Sequence, residues 1–114
     1  MTKVYWITGL AGVGKTPLAQ KLTEKLLTLE PTILLDGDDI RDVLNLEIGN
    51  DKSSRLKTAY IYSNLIKLLE SQNINIVCST ISLFHEIHKY NRNIFSHYCE
   101  ILIQKDLDKL IFED

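Results

Sequence analysis

Gly9-Leu10-Ala11-Gly12-Val13-Gly14-Lys15-Thr16 is the stretch from which the rest of the chain can be read. It satisfies G-x-x-x-x-G-K-[ST] at every fixed position. The glycines let the backbone turn tightly and come close to an anion. The successive N–H groups then form a concave nest of donors for phosphates. In this pattern Lys15 reaches the terminal phosphates and the Thr16 hydroxyl ligates Mg²⁺. A helix starting here turns its positive dipole end toward the same anion. The residues implied to bind the nucleotide are therefore Gly9, Leu10, Ala11, Gly12, Val13, Gly14, Lys15 and Thr16.

The flanks supply the context that the pattern needs. Val4-Tyr5-Trp6-Ile7-Thr8 is β-branched and aromatic, as suits a buried parallel strand. Pro17-Leu18-Ala19-Gln20-Lys21-Leu22 reads as a helical start with proline in its first turn. Further along, apolar runs alternate with helical patterns, which predicts an α/β fold with a parallel sheet. Strands are expected at about 3–8, 32–35, 74–78 and 98–103. Helices are expected at about 15–29, 40–46, 53–72 and 85–95, with a last short one at about 106–112. Leu18, Leu22, Leu26 and Leu29 are read as the inward stripe of the first long helix, and Ile61, Leu65, Leu68 and Leu69 as that of the second.

With 114 residues the chain is long enough for one modest domain. A net charge of −2, with both signs interspersed, gives no support for a nucleic-acid or membrane-surface partner. No apolar run approaches ~20 residues, so no membrane span is expected. Nor does the start, Met1-Thr2-Lys3, have a signal-peptide layout. The expected location is the cytoplasm. Cys78 and Cys99 both lie in apolar strand-like runs and are read as buried thiols.

The second strand ends in Asp36-Gly37-Asp38-Asp39. In a parallel sheet the carboxyl ends of the strands face the ligand crevice, so these acids emerge beside the phosphate loop. Phosphoryl transfer needs a metal anchor and a group that takes or orients the acceptor proton, and two such carboxylates can divide those tasks. Asp38 or Asp39 can also cap the helix at Ile40. Arg41, Arg55 and Arg92 are expected on the ligand side, where guanidinium forks suit phosphate or sulfate oxygens. His85 and His88 sit three apart, but no partner completes a tetrahedral metal site.

Taken together, these residues resemble the adenylylsulfate kinases (APS kinases). The resemblance rests on Trp6-Ile7-Thr8-Gly9-Leu10, the phosphate loop, Leu35-Asp36-Gly37-Asp38-Asp39-Ile40-Arg41, Arg55, Ile81-Ser82 and Arg92, in that order. It extends to a branch with Arg-Leu-Lys at Arg55 and Thr-Ile-Ser-x-Phe-His-Glu at Thr80 to Glu86. It implies a P-loop kinase fold, strand order 2-3-1-4, right-handed crossovers and helices on both faces. The activity implied is transfer of the γ-phosphoryl of ATP to the 3′-hydroxyl of adenosine 5′-phosphosulfate, with Mg²⁺. By position, Lys15 and Asp38 are the catalytic pair, and Thr16 and Asp36 serve the metal. Asp36, Asp38, Arg41, Arg55, Ile81 and Ser82 line the acceptor site.

The chain departs from the family pattern on the acceptor side. Asn50 stands where the family often has a stacking phenylalanine. Thr58 and Tyr60 replace an asparagine and an arginine, and Leu83 and His85 replace a proline and an arginine. These changes leave two acceptors open: another anionic hydroxyl compound, or APS held through substituted contacts. Glu113-Asp114 falls where the family continues into an Arg-Asp pair, a lid and a fifth strand. The expectation is a single domain over residues 1–114 lacking that lid and strand, weakly active or inactive alone. A non-catalytic nucleotide-binding fragment is the alternative, and a homodimer is compatible with the edge left by a missing strand.

Overall fold

Val4–Thr8 forms β1, and its neighbours assemble on both sides of it into one parallel sheet. The computed structural model describes residues 2–9, 14–46, 49, 51–81 and 84–103. The elements follow as α1 (Lys15–Leu27), β2 (Thr32–Asp36), α2 (Gly37–Val43), α3 (Lys52–Glu70), β3 (Asn75–Thr80), α4 (His85–Ile94) and β4 (Tyr98–Leu102). The strand order is β2-β3-β1-β4, as the sequence implies. The expected helix at 106–112 lies outside the described residues.

Alternation along the strands divides the core into two layers. Val4 pairs with Ile76 and Trp6 with Cys78, while Ile33 and Leu35 meet the same two β3 residues from the other side. This face packs against Ile40, Ala59, Tyr62, Ile66, Ile87 and Phe95 from α2, α3, α4 and the residue following α4. The opposite face, built on Ile7 and Val77, is covered by Ala19, Leu22 and Leu26 of α1. β3 is buried at every residue, as befits a central parallel strand with helices on both sides.

Several expectations are corrected. The inward contact of α1 centres on Ala19, whose small side chain lets the helix lie close to the sheet; Leu18 is exposed, and Leu29 lies beyond the helix and is 80% exposed. On α3 the buried residues are Ala59, Tyr62, Ser63 and Ile66, an i, i+3, i+4, i+7 stripe. Leu65 and Leu69 only flank the core, and Leu68 is 58% exposed. The stripe tolerates Ser63 because its Oγ donates to Asn91 Oδ1 at 2.5 Å. Asn91 in turn donates to the Tyr98 hydroxyl at 3.2 Å, and Tyr98 donates to Glu100 at 2.9 Å. This chain of bonds fastens α3, α4 and β4 together.

Cys78 is buried, and burial pushes its thiol far up, so it stays protonated. Cys99, expected inside, is exposed at its edge-strand position. No described helix is long and apolar enough to cross a membrane.

Candidate active site

β1 ends at Thr8, and the backbone then turns through two glycines with positive φ, Gly9 at 154° and Gly14 at 100°. Only glycine adopts these conformations without strain. Gly14 is the N-cap residue of α1 and brings no side chain to cap it. The first-turn N–H groups of α1 therefore suit an anion. Lys15 and Thr16 open the helix and face a pocket of about 320 Å³. Leu10, Ala11, Gly12 and Val13 lie outside the described residues.

Across the pocket, β2 runs directly into α2. The N-cap is Asp36, not Asp38 or Asp39, because the helix begins at Gly37 rather than Ile40. Asp36 Oδ1 accepts the Asp38 N–H at 2.9 Å. Its other oxygen keeps lone pairs for a cation or a water. Asp38, two residues on, accepts from Arg41 Nη2 at 2.8 Å. Both partners are well exposed, so the contact contributes little to stability.

The remaining walls come from α3 and β3. Arg55, Thr58, Ala59 and Tyr62 line the pocket from α3, and Ser79, Thr80 and Ile81 from the end of β3. Asp51 caps α3, accepting from Ser54 N–H at 3.2 Å and from Ser54 Oγ at 2.7 Å. These bonds, the side-chain one foremost, hold the Asp51 carboxyl below its ordinary 3.8. Thus Lys15, Thr16, Asp36, Asp38, Arg41, Arg55 and Ile81 share one cavity. Ser82, Leu83 and Asn50 lie outside the described residues.

Arg92 is a correction: it sits in the last turn of α4 and pairs with Glu100 at 3.3 Å, and it does not line the pocket. His88 also approaches Glu100, at 3.8 Å. Among the described residues no group of three His, Cys, Asp or Glu side chains could hold a metal.

Tyr62 is a site residue that the sequence did not announce, and Thr80 was visible only as the start of the Thr-Ile-Ser stretch. Tyr62 is 5% exposed, and its hydroxyl donates to the Gly37 carbonyl at 2.7 Å. Burial above all raises its pKa to about 12. A Cβ at Gly37 would stand 2.9 Å from Thr80 Oγ1 and 3.2 Å from Tyr62 Cε2. An added side chain would therefore make Thr80 or the Tyr62 ring shift, and the acid-bearing turn is clamped between those two side chains. The stripe read from the sequence, Ile61, Leu65, Leu68 and Leu69, passes Tyr62 by.

The donor set suits Mg²⁺, a hard cation that takes oxygen ligands, commonly one or two carboxylates with waters and substrate phosphates. A hydroxyl at Thr16 and a carboxylate at Asp36 border one pocket, with Lys15 beside them. Arg41 and Arg55 give the same pocket two guanidinium groups suited to an anionic acceptor.

Comparisons with known proteins bear on the family and the fold. A family model for adenylylsulphate kinase matches residues 1–114. The chain is 40% identical over 112 residues, 97% of its length, to a cytidine diphosphoramidate kinase of Campylobacter jejuni. It is 28% identical over 115 residues to an adenylyl-sulfate kinase of Myxococcus xanthus. It spans 65% and 62% of these two relatives' lengths. Among solved structures, the Mycobacterium tuberculosis APS kinase CysC in complex with AMPPNP and APS superposes with a TM-score of 0.82 at 26% identity. That match covers 99% of this chain and 68% of the other. Matched along its whole length in sequence and laid out like a solved member in space, this chain belongs to the adenylylsulfate kinase family.

Proposed function

We propose that this chain binds ATP with Mg²⁺ at residues 9–16 and transfers the γ-phosphoryl to a hydroxyl of a small anionic acceptor. The single observation that carries the reading is the shared pocket. Lys15 and Thr16 stand on one wall, with Asp36, Asp38, Arg41 and Arg55 on the others. Lys15 draws the terminal phosphates into register and offsets the charge that develops on them. Mg²⁺, held by Thr16 and through water by Asp36, would supply further neutralisation of phosphate charge. Asp38 accepts the acceptor's hydroxyl proton as the new O–P bond forms and the bond from the γ-phosphorus to the β–γ bridging oxygen breaks, leaving ADP. Arg41 and Arg55 grip the acceptor's own oxyanions.

For the acceptor, the reading favours a nucleoside carrying two linked tetrahedral oxyanion groups at its 5′ end. Cytidine diphosphoramidate and APS both fit that description. Thr58, one of the positions at which the chain departs from the family pattern, lines the pocket, and a relative at 40% identity is named for the cytidine compound. These two facts put cytidine diphosphoramidate first and APS second. ADP release measured with each compound, and with neither, tests the order. The expected result is faster turnover with the cytidine compound. Faster turnover with APS reverses the order, and calorimetric ATP binding with ADP release at background for every acceptor contradicts the kinase reading.

A further inference from the structure

α2 has only seven residues, too few to hold its own shape, yet it bears Asp38 and Arg41. Its far end is loosely held: Val43 is 82% exposed and Leu44 is also exposed. What fixes the near end is the core contact of Ile40 and the grip on Gly37. Gly37 lies between Asp36 and Asp38, and it is buried. Its carbonyl takes the Tyr62 hydroxyl at 2.7 Å, a bond that spans 25 residues of chain. The Tyr62 ring and Thr80 close in on it, so a side chain there would have to push them away.

Tyr62 sits two helical turns after Arg55, so both project from nearly the same face of α3. Thr58 lies between them, and all three line the pocket. One helix therefore carries both a grip on the acceptor and the strut that fixes the acids.

We propose that Tyr62 is a positioning residue that acts through Asp38. Its hydroxyl fixes the Asp36-Gly37-Asp38 turn relative to α3, and so sets the carboxylate of Asp38 against an acceptor held by Arg55. The inference rests on the kinase reading for its rate consequences, but not for the clamp itself. The hydroxyl remains a donor across the working pH range, because burial keeps it protonated up to about 12.

Tyr62→Phe keeps the ring and removes only the donor. The expected effect is a kcat lower by about tenfold, the weight of one hydrogen bond, with KM for ATP within about twofold of the wild type. In an Asp38→Asn background the same substitution is expected to change kcat by less than about twofold, since residues acting as a unit are not additive. A structural role alone would give the same loss in both backgrounds. Amide hydrogen exchange at residues 37–40 is expected to quicken by about tenfold in Tyr62→Phe, with the first turns of α3 unchanged. Gly37→Ala, which forces Thr80 and the Tyr62 ring away from the same turn, is expected to give the same pattern.

Wild-type turnover together with unchanged exchange at 37–40 in Tyr62→Phe overturns the proposal. So does a tenfold loss that persists undiminished in the Asp38→Asn background. If the wild type transfers phosphoryl to no acceptor, the kinase reading falls, and the exchange measurement alone decides for or against the strut.

Discussion

Asp36 has two tasks that a single substitution can separate. It caps α2 by accepting the Asp38 N–H, and it supplies a negative charge beside Thr16. Asparagine keeps the cap and loses the charge; alanine loses both. In Asp36→Asn the melting temperature is expected to stay close to wild type, while the Mg²⁺ concentration giving half-maximal transfer rises by about tenfold. Asp36→Ala is expected to lose about 1 kcal/mol of stability as well. Thermal melts and a Mg²⁺ titration of the transfer rate check both outcomes. At this scale the sequence was legible wherever a residue's role is local. Gly14, Lys15, Thr16 and the acid pair could be placed because the phosphate loop has a fixed spacing and a strand end has a fixed side. Tyr62 could not, since its partner is 25 residues away and nothing near it in sequence asks for a buried hydroxyl. Arg92 was misplaced for the same reason: its partner Glu100 lies on a neighbouring strand.

Among the elements, α3 joins stability to the site. Asp51 caps it and Arg55 follows one turn later. The carboxylate is held below 3.8 by bonds from Ser54 that only the folded helix provides. Its contribution is therefore present in full above the unfolded value and is lost as the pH falls through the lower folded one. The melting temperature of Asp51→Ala is expected to lie on the order of a few degrees below wild type at pH 7, and the gap is expected to close in acid as wild type protonates the same group. A gap of constant size down to pH ~2 contradicts this account of the cap. Large aliphatic side chains do not by themselves mark the inward face of α3, where Leu68 is exposed. The fold instead buries Ala59, Tyr62, Ser63 and Ile66, and it satisfies Ser63 through Asn91 of α4. Hydrophobicity along one helix cannot reveal a polar partner on another. On α2 the boundary moved to Gly37 because the strand's last residue doubles as the cap.

Over the whole molecule, a parallel sheet brings the ends of β1, β2 and β3 to one edge, and each of them feeds the same pocket. The parallel α/β class was legible from alternating strands and helices, and the strand order from the resemblance to the adenylylsulfate kinases. The identity of the acceptor was not, because it depends on positions at which this chain departs from the pattern of its family, and no spacing rule says what a substituted position binds. The central claim is that Lys15 and Asp38, brought together across that edge, move a phosphoryl group. Single-turnover transfer from γ-labelled ATP, with protein in excess over nucleotide so that slow chemistry is visible, tests it most directly. Label is expected to pass to the acceptor with wild type and not with Lys15→Ala. With Asp38→Asn it is expected to pass about a hundredfold more slowly at nearly unchanged ATP affinity. Equal rates of label transfer by wild type and Lys15→Ala would contradict the account.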